Sequence, residues 1–184
     1  GSAPSLADYL GDMRYYLDWM PDRREGGTEV IGGTHKWVMP CNWKLPSDNF
    51  IGDTYHIATS HLSAIIVGAR GESFQAQAPT NFGGFQTSTG NGHGVIVREG
   101  TVTAGEEDIM AYEESILPEV ERRLGKSRAG IAPIVSTVFP NCSPFYSRWT
   151  IRVWHPRGPQ KTEVWAWCIV DKAAPPEIKE SVRQ

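Results

Sequence analysis

Thr162-Glu163-Val164-Trp165-Ala166-Trp167-Cys168-Ile169-Val170 is apolar on both faces of an extended chain, with Trp165, Trp167 and Ile169 alternating against Val164, Ala166 and Cys168. A strand of that kind is central in its sheet and covered on both sides. Working upstream, Phe145–Trp154 reads as a second strand, with Trp149, Ile151 and Val153 on one face and Arg148, Thr150 and Arg152 on the other. Ile134–Phe139 reads as a third. Pro175-Pro176-Glu177 opens a last helix downstream. Glu106–Leu124 is the clearest long helix, acidic early and basic late, with a kink or break expected near Leu117 because Pro118 removes a backbone donor.

Further upstream, the stretch Asn81–Gly94 holds five glycines and runs into Val95-Ile96-Val97. Its Gly-Asn-Gly-His-Gly piece leads into a strand and not a helix, so it reads as strand, tight turn and strand, not as a phosphate cradle. Pro46-Ser47-Asp48 opens a helical segment expected to run through Asn49 to about Ile66. Thr28–Ile31 and Thr34–Met39 read as a hairpin about Gly32-Gly33. Ser5 caps one helix carrying Leu6, Tyr9, Leu10, Met13, Leu17 and Met20, which stops at Pro21 and the polar run after it. Strands grouped late, with no βαβ alternation, give an α+β fold with an antiparallel sheet.

The 184 residues carry no internal repeat or linker, so 1–184 reads as one domain. Eighteen basic against 21 acidic residues, net charge −3, give no basic patch for nucleic acid. No apolar run approaches the roughly 20 residues that span a bilayer, and the first residues lack the pattern of a signal peptide. The three cysteines (Cys41, Cys142, Cys168) are too irregularly spaced for a disulfide framework or a CxxC metal knuckle. They read as small core residues of a cytoplasmic protein. His35 and His93 are expected to be structural or exposed, and His155, in Trp-His-Pro-Arg-Gly, to face solvent from a turn.

Chemistry concentrates in Asp53-Thr54-Tyr55-His56-Ile57-Ala58-Thr59-Ser60-His61. Two histidines five apart stand about 140° from each other on an ideal α-helix, unlike the zinc pair at i and i+4. For both to reach one ion, the helix must widen, end or bend between Ile57 and Ser60. Otherwise they are surface or hydrogen-bonded histidines. Asp53 is either a third ligand or a local cap.

The whole run Pro46-Ser47-Asp48-Asn49-Phe50-Ile51-Gly52-Asp53-Thr54-Tyr55-His56-x4-His61-x-Ser63 resembles the mononuclear-iron segment of Rieske-type aromatic-ring-hydroxylating dioxygenases, in the α (large) subunit of the naphthalene/biphenyl group. Ala3-Pro4-Ser5-Leu6 with Tyr9-Leu10-Gly11, Asn42-Trp43-Lys44, Thr137 to Asn141, Trp154 to Gly158 and Glu163-Val164-Trp165 extend the likeness, in order, over nearly the whole chain. The resemblance implies a helix-grip (START-like) fold, an antiparallel sheet wrapped around a long helix. It implies His56 and His61 as ligands of a mononuclear Fe(II). It makes Asp53 not a ligand but the electron-transfer bridge to the Rieske cluster of a neighbouring subunit. Asn49, Phe50, Thr54, Ile57, Val135, Phe145 and Trp154 match pocket-lining positions, although large apolar strand residues are usually core.

The implied activity is cis-dihydroxylation of an aromatic hydrocarbon with O2, with NAD(P)H as ultimate donor. The implied partners are a β subunit, in an α3β3 oxygenase, and a ferredoxin and reductase. The Cys-x-His and Cys-x2-His pairs of a Rieske [2Fe–2S] centre are absent from these 184 residues. The family's third iron ligand, an aspartate, is expected beyond residue 184. The chain is thus expected to be a catalytic domain without its Rieske domain, incomplete at its C-terminus and inactive alone. Two other readings remain: a metal-free helix-grip ligand-binding module, in which His56 and His61 point apart, and a zinc hydrolase using Asp53, His56 and His61 together.

Overall fold

The computed structural model describes residues 2–54, 56–61, 84–100 and 107–183. Three short helices, α1 (Leu6–Leu10), α2 (Met13–Leu17) and α3 (Trp19–Asp22), precede β1 (Thr28–Met39). Helices α4 (Lys44–Gly52) and α5 (Ile57–Ser60) follow, then the hairpin β2 (Gly84–Gly90) and β3 (His93–Glu99). The long α6 (Glu107–Leu124) and short α7 (Lys126–Ala129) lead to β4 (Ile131–Thr137), β5 (Cys142–Phe145), β6 (Thr150–Pro156), β7 (Thr162–Asp171) and α8 (Pro176–Arg183).

Every strand pair is antiparallel, in the orders β1-β7-β6-β5 and β2-β3-β4. The two sheets abut where Val138 and Cys142 exchange both backbone bonds. The result is the expected α+β arrangement. β7 lies between β1 and β6, as its apolar faces require. Along one face, Val170 packs with Tyr112, Ile116 and Val120 of α6 and Ile178 of α8, while Val164 packs with Phe50 of α4 and with Trp154. Pointing the other way, Ile169 meets Trp19 and Met20 of α3, and Trp165 and Trp167 stay half-buried. Covering on that second side is therefore partial.

Arg23 ties the helices to the sheet. It is 1% exposed, donates to both Glu113 oxygens at 2.9 Å and to Asp171, and lies between the rings of Trp19 and Trp149 at 5.1 and 4.7 Å. Four hydrogen bonds to two carboxylates, together with two ring faces, are what a buried guanidinium needs.

Several local expectations give way to longer-range pairing. The Gly32-Gly33 pair is not a hairpin turn: both halves of Thr28–Met39 pair with β7, and the extra residues form a bulge between Ile31 and His35, with Gly32 at φ +70°. Phe145–Trp154 is not one strand. A 3-10 turn at Tyr146–Arg148 and a left-handed Trp149 fold it into the β5–β6 hairpin, so Phe145 pairs with Thr150. The N-terminal helix is broken by Gly11 at φ +49°, though Ser5 does cap its first turn. Pro118 lies inside α6 without ending it, because the buried face of Ile109, Tyr112, Ile116 and Val120 holds the helix across the missing bond.

The third strand begins at Ile131 and ends at Thr137, short of Phe139. His155 lies on β6, half-buried and 4.8 Å from the Trp165 ring, not in an open turn. The three cysteines are free and only half-buried. His93 is structural: its Nε2 meets the Tyr9 carbonyl at 3.0 Å and its Nδ1 accepts from the Phe139 N–H at 2.9 Å. No helix of the described residues is long and apolar enough to cross a membrane.

Candidate functional site

Helix α4 runs through Asn49, Phe50 and Gly52 and then stops, because Asp53 leaves helical geometry at φ −95°, ψ 80°. The helical segment expected to continue to Ile66 is therefore interrupted; its portion from residue 62 lies outside the described residues. His56 caps the N-terminus of α5 and His61 its C-terminus. With Ile57–Ser60 as a single turn between them, the two rings converge despite their five-residue spacing. The turn is closed by the Thr59 and Ser60 N–H groups donating to the His56 carbonyl at 3.1 and 2.6 Å. The Nε2 atoms of His56 and His61 stand 2.9 Å apart, so the rings do not point away from each other.

The His56 Nδ1 lies 2.8 Å from the Asp53 backbone carbonyl, which can only accept. Nδ1 therefore carries the proton and Nε2 presents a lone pair, the tautomer a metal-binding imidazole needs. In the contact between the rings, His61 Nε2–H is then the donor. Imidazole nitrogens bound to one divalent ion at about 2.1 Å each, at about a right angle, lie ~3 Å apart. The pair thus fits a shared ion.

Asp53 approaches His56 from the Nδ1 side. Its Oδ2 lies 3.3 Å from the ring, and its Oδ1 accepts from the His56 N–H at 3.3 Å. Asn49 Nδ2 donates to the same carboxylate at 3.3 Å. Partial burial works to raise the Asp53 carboxyl, but the His56 N–H, the His56 ring and the Asn49 amide outweigh it and hold it below the ordinary carboxylate value. Among the described residues no group of three or more His, Cys, Asp or Glu side chains converges to hold a metal. Two nitrogens are the donor set this part of the chain supplies.

Phe50 points into the sheet. Its ring meets Phe145 at 5.3 Å and Trp154 at 5.4 Å, edge to face, and Val135 packs against the same cluster. Trp154 is 2% exposed, its indole N–H donating to Ser143 Oγ at 2.8 Å. Thr54, half-buried, donates to Gln86 Oε1 of β2 at 3.3 Å, and Ile57 opens α5. Phe50, Val135, Phe145 and Trp154 therefore form one apolar group beside α4, while Asn49, Asp53, His56 and His61 form one polar group.

Two residues were missed in the sequence. Gln86 reaches Thr54 from 32 positions away, and no local signal marks it. Arg152 stacks on Phe145 and Phe50 at 4.9 and 5.6 Å; its even spacing from the buried Trp154 on the same strand was the available sign.

Residues 7–184 match the family described as ring hydroxylating alpha subunit (catalytic domain). The chain is 43% identical, over 99% of its length, to the biphenyl dioxygenase subunit alpha of Paraburkholderia xenovorans (strain LB400), and 40% identical to the benzene 1,2-dioxygenase subunit alpha of Pseudomonas putida. It covers 42% and 43% of those proteins, so it spans less than half their length. Among solved structures, naphthalene 1,2-dioxygenase with indole bound in the active site superposes with a TM-score of 0.82 at 31% identity, over 98% of this chain and 42% of that one. The naphthalene 1,2-dioxygenase from Rhodococcus sp. bound to indole gives 0.76 at 32% identity, over 99% and 44%. With the match running from α1 through α8, the chain belongs to the ring-hydroxylating alpha-subunit family, in its catalytic domain.

Proposed function

We propose that this chain supplies the mononuclear-iron half of an oxygenase that converts an aromatic hydrocarbon and O2 to a cis-dihydrodiol. The observation that carries this reading is the His56–His61 pair, with Nε2 atoms 2.9 Å apart and the His56 tautomer set by the Asp53 carbonyl. Two neutral imidazoles with one carboxylate are the ligand set of non-haem Fe(II) oxygenases that keep positions open for O2. The carboxylate would come from outside the described residues. Bound there, Fe(II) would supply the activation of O2 beside the substrate.

The chain's own residues hold and position. Asn49 and the His56 N–H keep the Asp53 carboxylate against the His56 ring, where Asp53 serves as the electron-transfer bridge from a [2Fe–2S] Rieske cluster. Phe50, backed by Val135, Phe145 and Trp154, gives the substrate an apolar edge-to-face partner, while Asn49, Thr54 and Ile57 line the pocket nearer the histidines. Biphenyl, benzene and naphthalene name the relatives' enzymes, so a mono- or bicyclic arene is the substrate class. A β subunit, an α3β3 assembly, ferredoxin and reductase donors and a cytoplasmic setting belong to the same proposal.

The test is anaerobic Fe(II) reconstitution of a full-length α subunit carrying this domain, followed by turnover on biphenyl and naphthalene. Iron bound at one equivalent per site and a cis-dihydrodiol product are expected, with both lost in His56→Ala and His61→Ala. Selective uptake of zinc with hydrolase activity would refute the reading.

A further inference from the structure

A run of three hydrogen bonds crosses the core beside α4. The Trp154 indole N–H donates to Ser143 Oγ at 2.8 Å, Ser143 Oγ and Thr137 Oγ1 stand 2.9 Å apart, and the Thr137 hydroxyl donates to the Ser47 backbone carbonyl at 2.9 Å. Both ends are one-way, since an indole N–H only donates and a carbonyl only accepts. Thr137 commits its single proton to Ser47, so the Ser143 hydroxyl donates to Thr137. Every bond therefore runs in one sense, from β6 through β5 and β4 to α4. Thr137 and Ser143 are 0% exposed, Trp154 2% and Ser47 5%. The run also joins the two sheets, because Thr137 ends β4 of one while Ser143 and Trp154 lie on β5 and β6 of the other.

Trp154 thus holds α4 at two places. Its ring meets Phe50 edge to face at 5.4 Å, and its N–H reaches the Ser47 carbonyl, one turn earlier on the same helix, through Ser143 and Thr137. Packing of Phe50 on the rings, and of Ile51 over Gly94 of β3, is undirected. Hydrogen bonds fix a length and an angle. A valine has nearly the shape of Thr137, and a core that replaced both hydroxyls with apolar groups would lose little stability. What a fully satisfied buried polar network adds is a single arrangement of the elements it joins.

We propose that Thr137 and Ser143 are positioning residues that hold α4 in one register against the two sheets, and so decide which ring carbons of the arene face the His56–His61 pair. The inference rests on the function proposed above. An arene hydrocarbon has no hydrogen-bonding group, so the shape of the walls alone orients it, and α4 carries two of those walls, Asn49 and Phe50. Both hydroxyls are used up inside the tether, so their effect reaches the substrate through α4.

The experiment compares full-length α subunit, with its β partner, carrying Thr137→Val, Thr137→Ser or Ser143→Ala. Ser136→Ala is the control, because Ser136 is equally buried and donates to the Pro144 carbonyl at 3.3 Å, outside the tether. One readout is amide hydrogen exchange of α4 without iron; the other is the ratio of dihydrodiol regioisomers formed from biphenyl with iron. Thr137→Val and Ser143→Ala should speed α4 exchange by about five- to tenfold, the effect of one lost hydrogen bond on a local opening, and shift the isomer ratio by a similar factor. Thr137→Ser, which keeps the hydroxyl, should restore both, and Ser136→Ala should lower Tm without moving either. Should Thr137→Val not fold, the double variant Thr137→Val/Ser143→Ala, which leaves no hydroxyl unpaired, carries the same comparison. Unchanged α4 exchange, an isomer ratio that stays at the parent's value, an equal response in Ser136→Ala, or no rescue by Thr137→Ser would each overturn the proposal. A parent that forms no dihydrodiol would refute the proposed function instead, and the exchange comparison would still decide whether the tether holds α4.

Discussion

Asp53→Asn separates two jobs that sit on one residue. The backbone carbonyl of Asp53, 2.8 Å from His56 Nδ1, sets the tautomer and survives any side-chain change. The carboxylate's own contacts are longer, at 3.3 Å to the ring, to the His56 N–H and from Asn49. An asparagine keeps an oxygen for the His56 N–H and loses the charge. Removing an outer partner of a metal-binding histidine typically lowers metal affinity 10–100-fold. With the short bond retained, the loss here should sit at the low end, about tenfold or ~1.4 kcal/mol. Turnover with the ferredoxin and reductase should fall by orders of magnitude more if, as proposed, the carboxylate is the bridge between redox centres. The assay pairs an anaerobic Fe(II) competition titration with steady-state dihydrodiol formation in a full-length subunit. Loss of iron affinity beyond about a hundredfold would refute the division of labour, as would turnover that falls only in step with iron.

The buried Arg23 cluster gives a stability prediction: Asp171→Asn leaves the guanidinium half-paired where Arg23 and Asp171 are 1% and 0% exposed, at a cost of about 3 kcal/mol. For a domain of this size that lowers Tm by roughly 6–12 °C, read by circular dichroism. A second prediction concerns alkaline pH. Burial and then the Asp171 charge raise the Tyr112 phenol well above 10, and burial does the same for Tyr146. The unfolded chain therefore gives up these protons first, so stability is full below pH 10 and falls above it, by ~1.4 kcal/mol per pH unit for each phenol. Urea midpoints between pH 9 and 11 should show the fall, and Tyr146→Phe should flatten it. Gly94→Ala places a Cβ 2.6 Å from Ile51 Cγ2 on α4, which should cost about 1–3 kcal/mol and disturb the site that α4 carries. Ile51→Leu, which lacks that methyl, should restore part of both in a melting and turnover comparison.

The sheet was readable where one strand's own pattern settled its place. Val164 and Ala166 against Trp165 and Trp167 demanded a strand inside the sheet, and β7 is inside it. Readings failed where a local signal competed with pairing further away. Gly32-Gly33 has the composition of a hairpin turn, yet β7 offers a partner to both sides of it, and one bulge leaves more backbone bonded than a turn would. The β5–β6 turn was hidden for the opposite reason. Tyr146-Ser147-Arg148-Trp149 contains no glycine or proline, and the left-handed residue is a tryptophan at φ +51°, a rare conformation outside glycine, asparagine and aspartate. Its ring lies against Arg23, from a segment more than a hundred residues earlier, so the reason for the turn is tertiary.

The site divides the same way. The sequence displays side chains, and on side chains alone Asp53 competes with any other carboxylate to be a ligand. What distinguishes it is where the backbone stops being helical. Because α4 ends at Gly52, the Asp53 carbonyl is free of an intrahelical bond and turns to His56 Nδ1, which commits that ring's other nitrogen to face His61. A continuous helix would have spent the same carbonyl four residues on, left the imidazole free to rotate, and held the histidines about 140° apart. The break at Asp53 is thus the feature that brings two histidines at an unpromising spacing to Nε2 atoms 2.9 Å apart. It is a property of the main chain, so no inventory of the residues could show it.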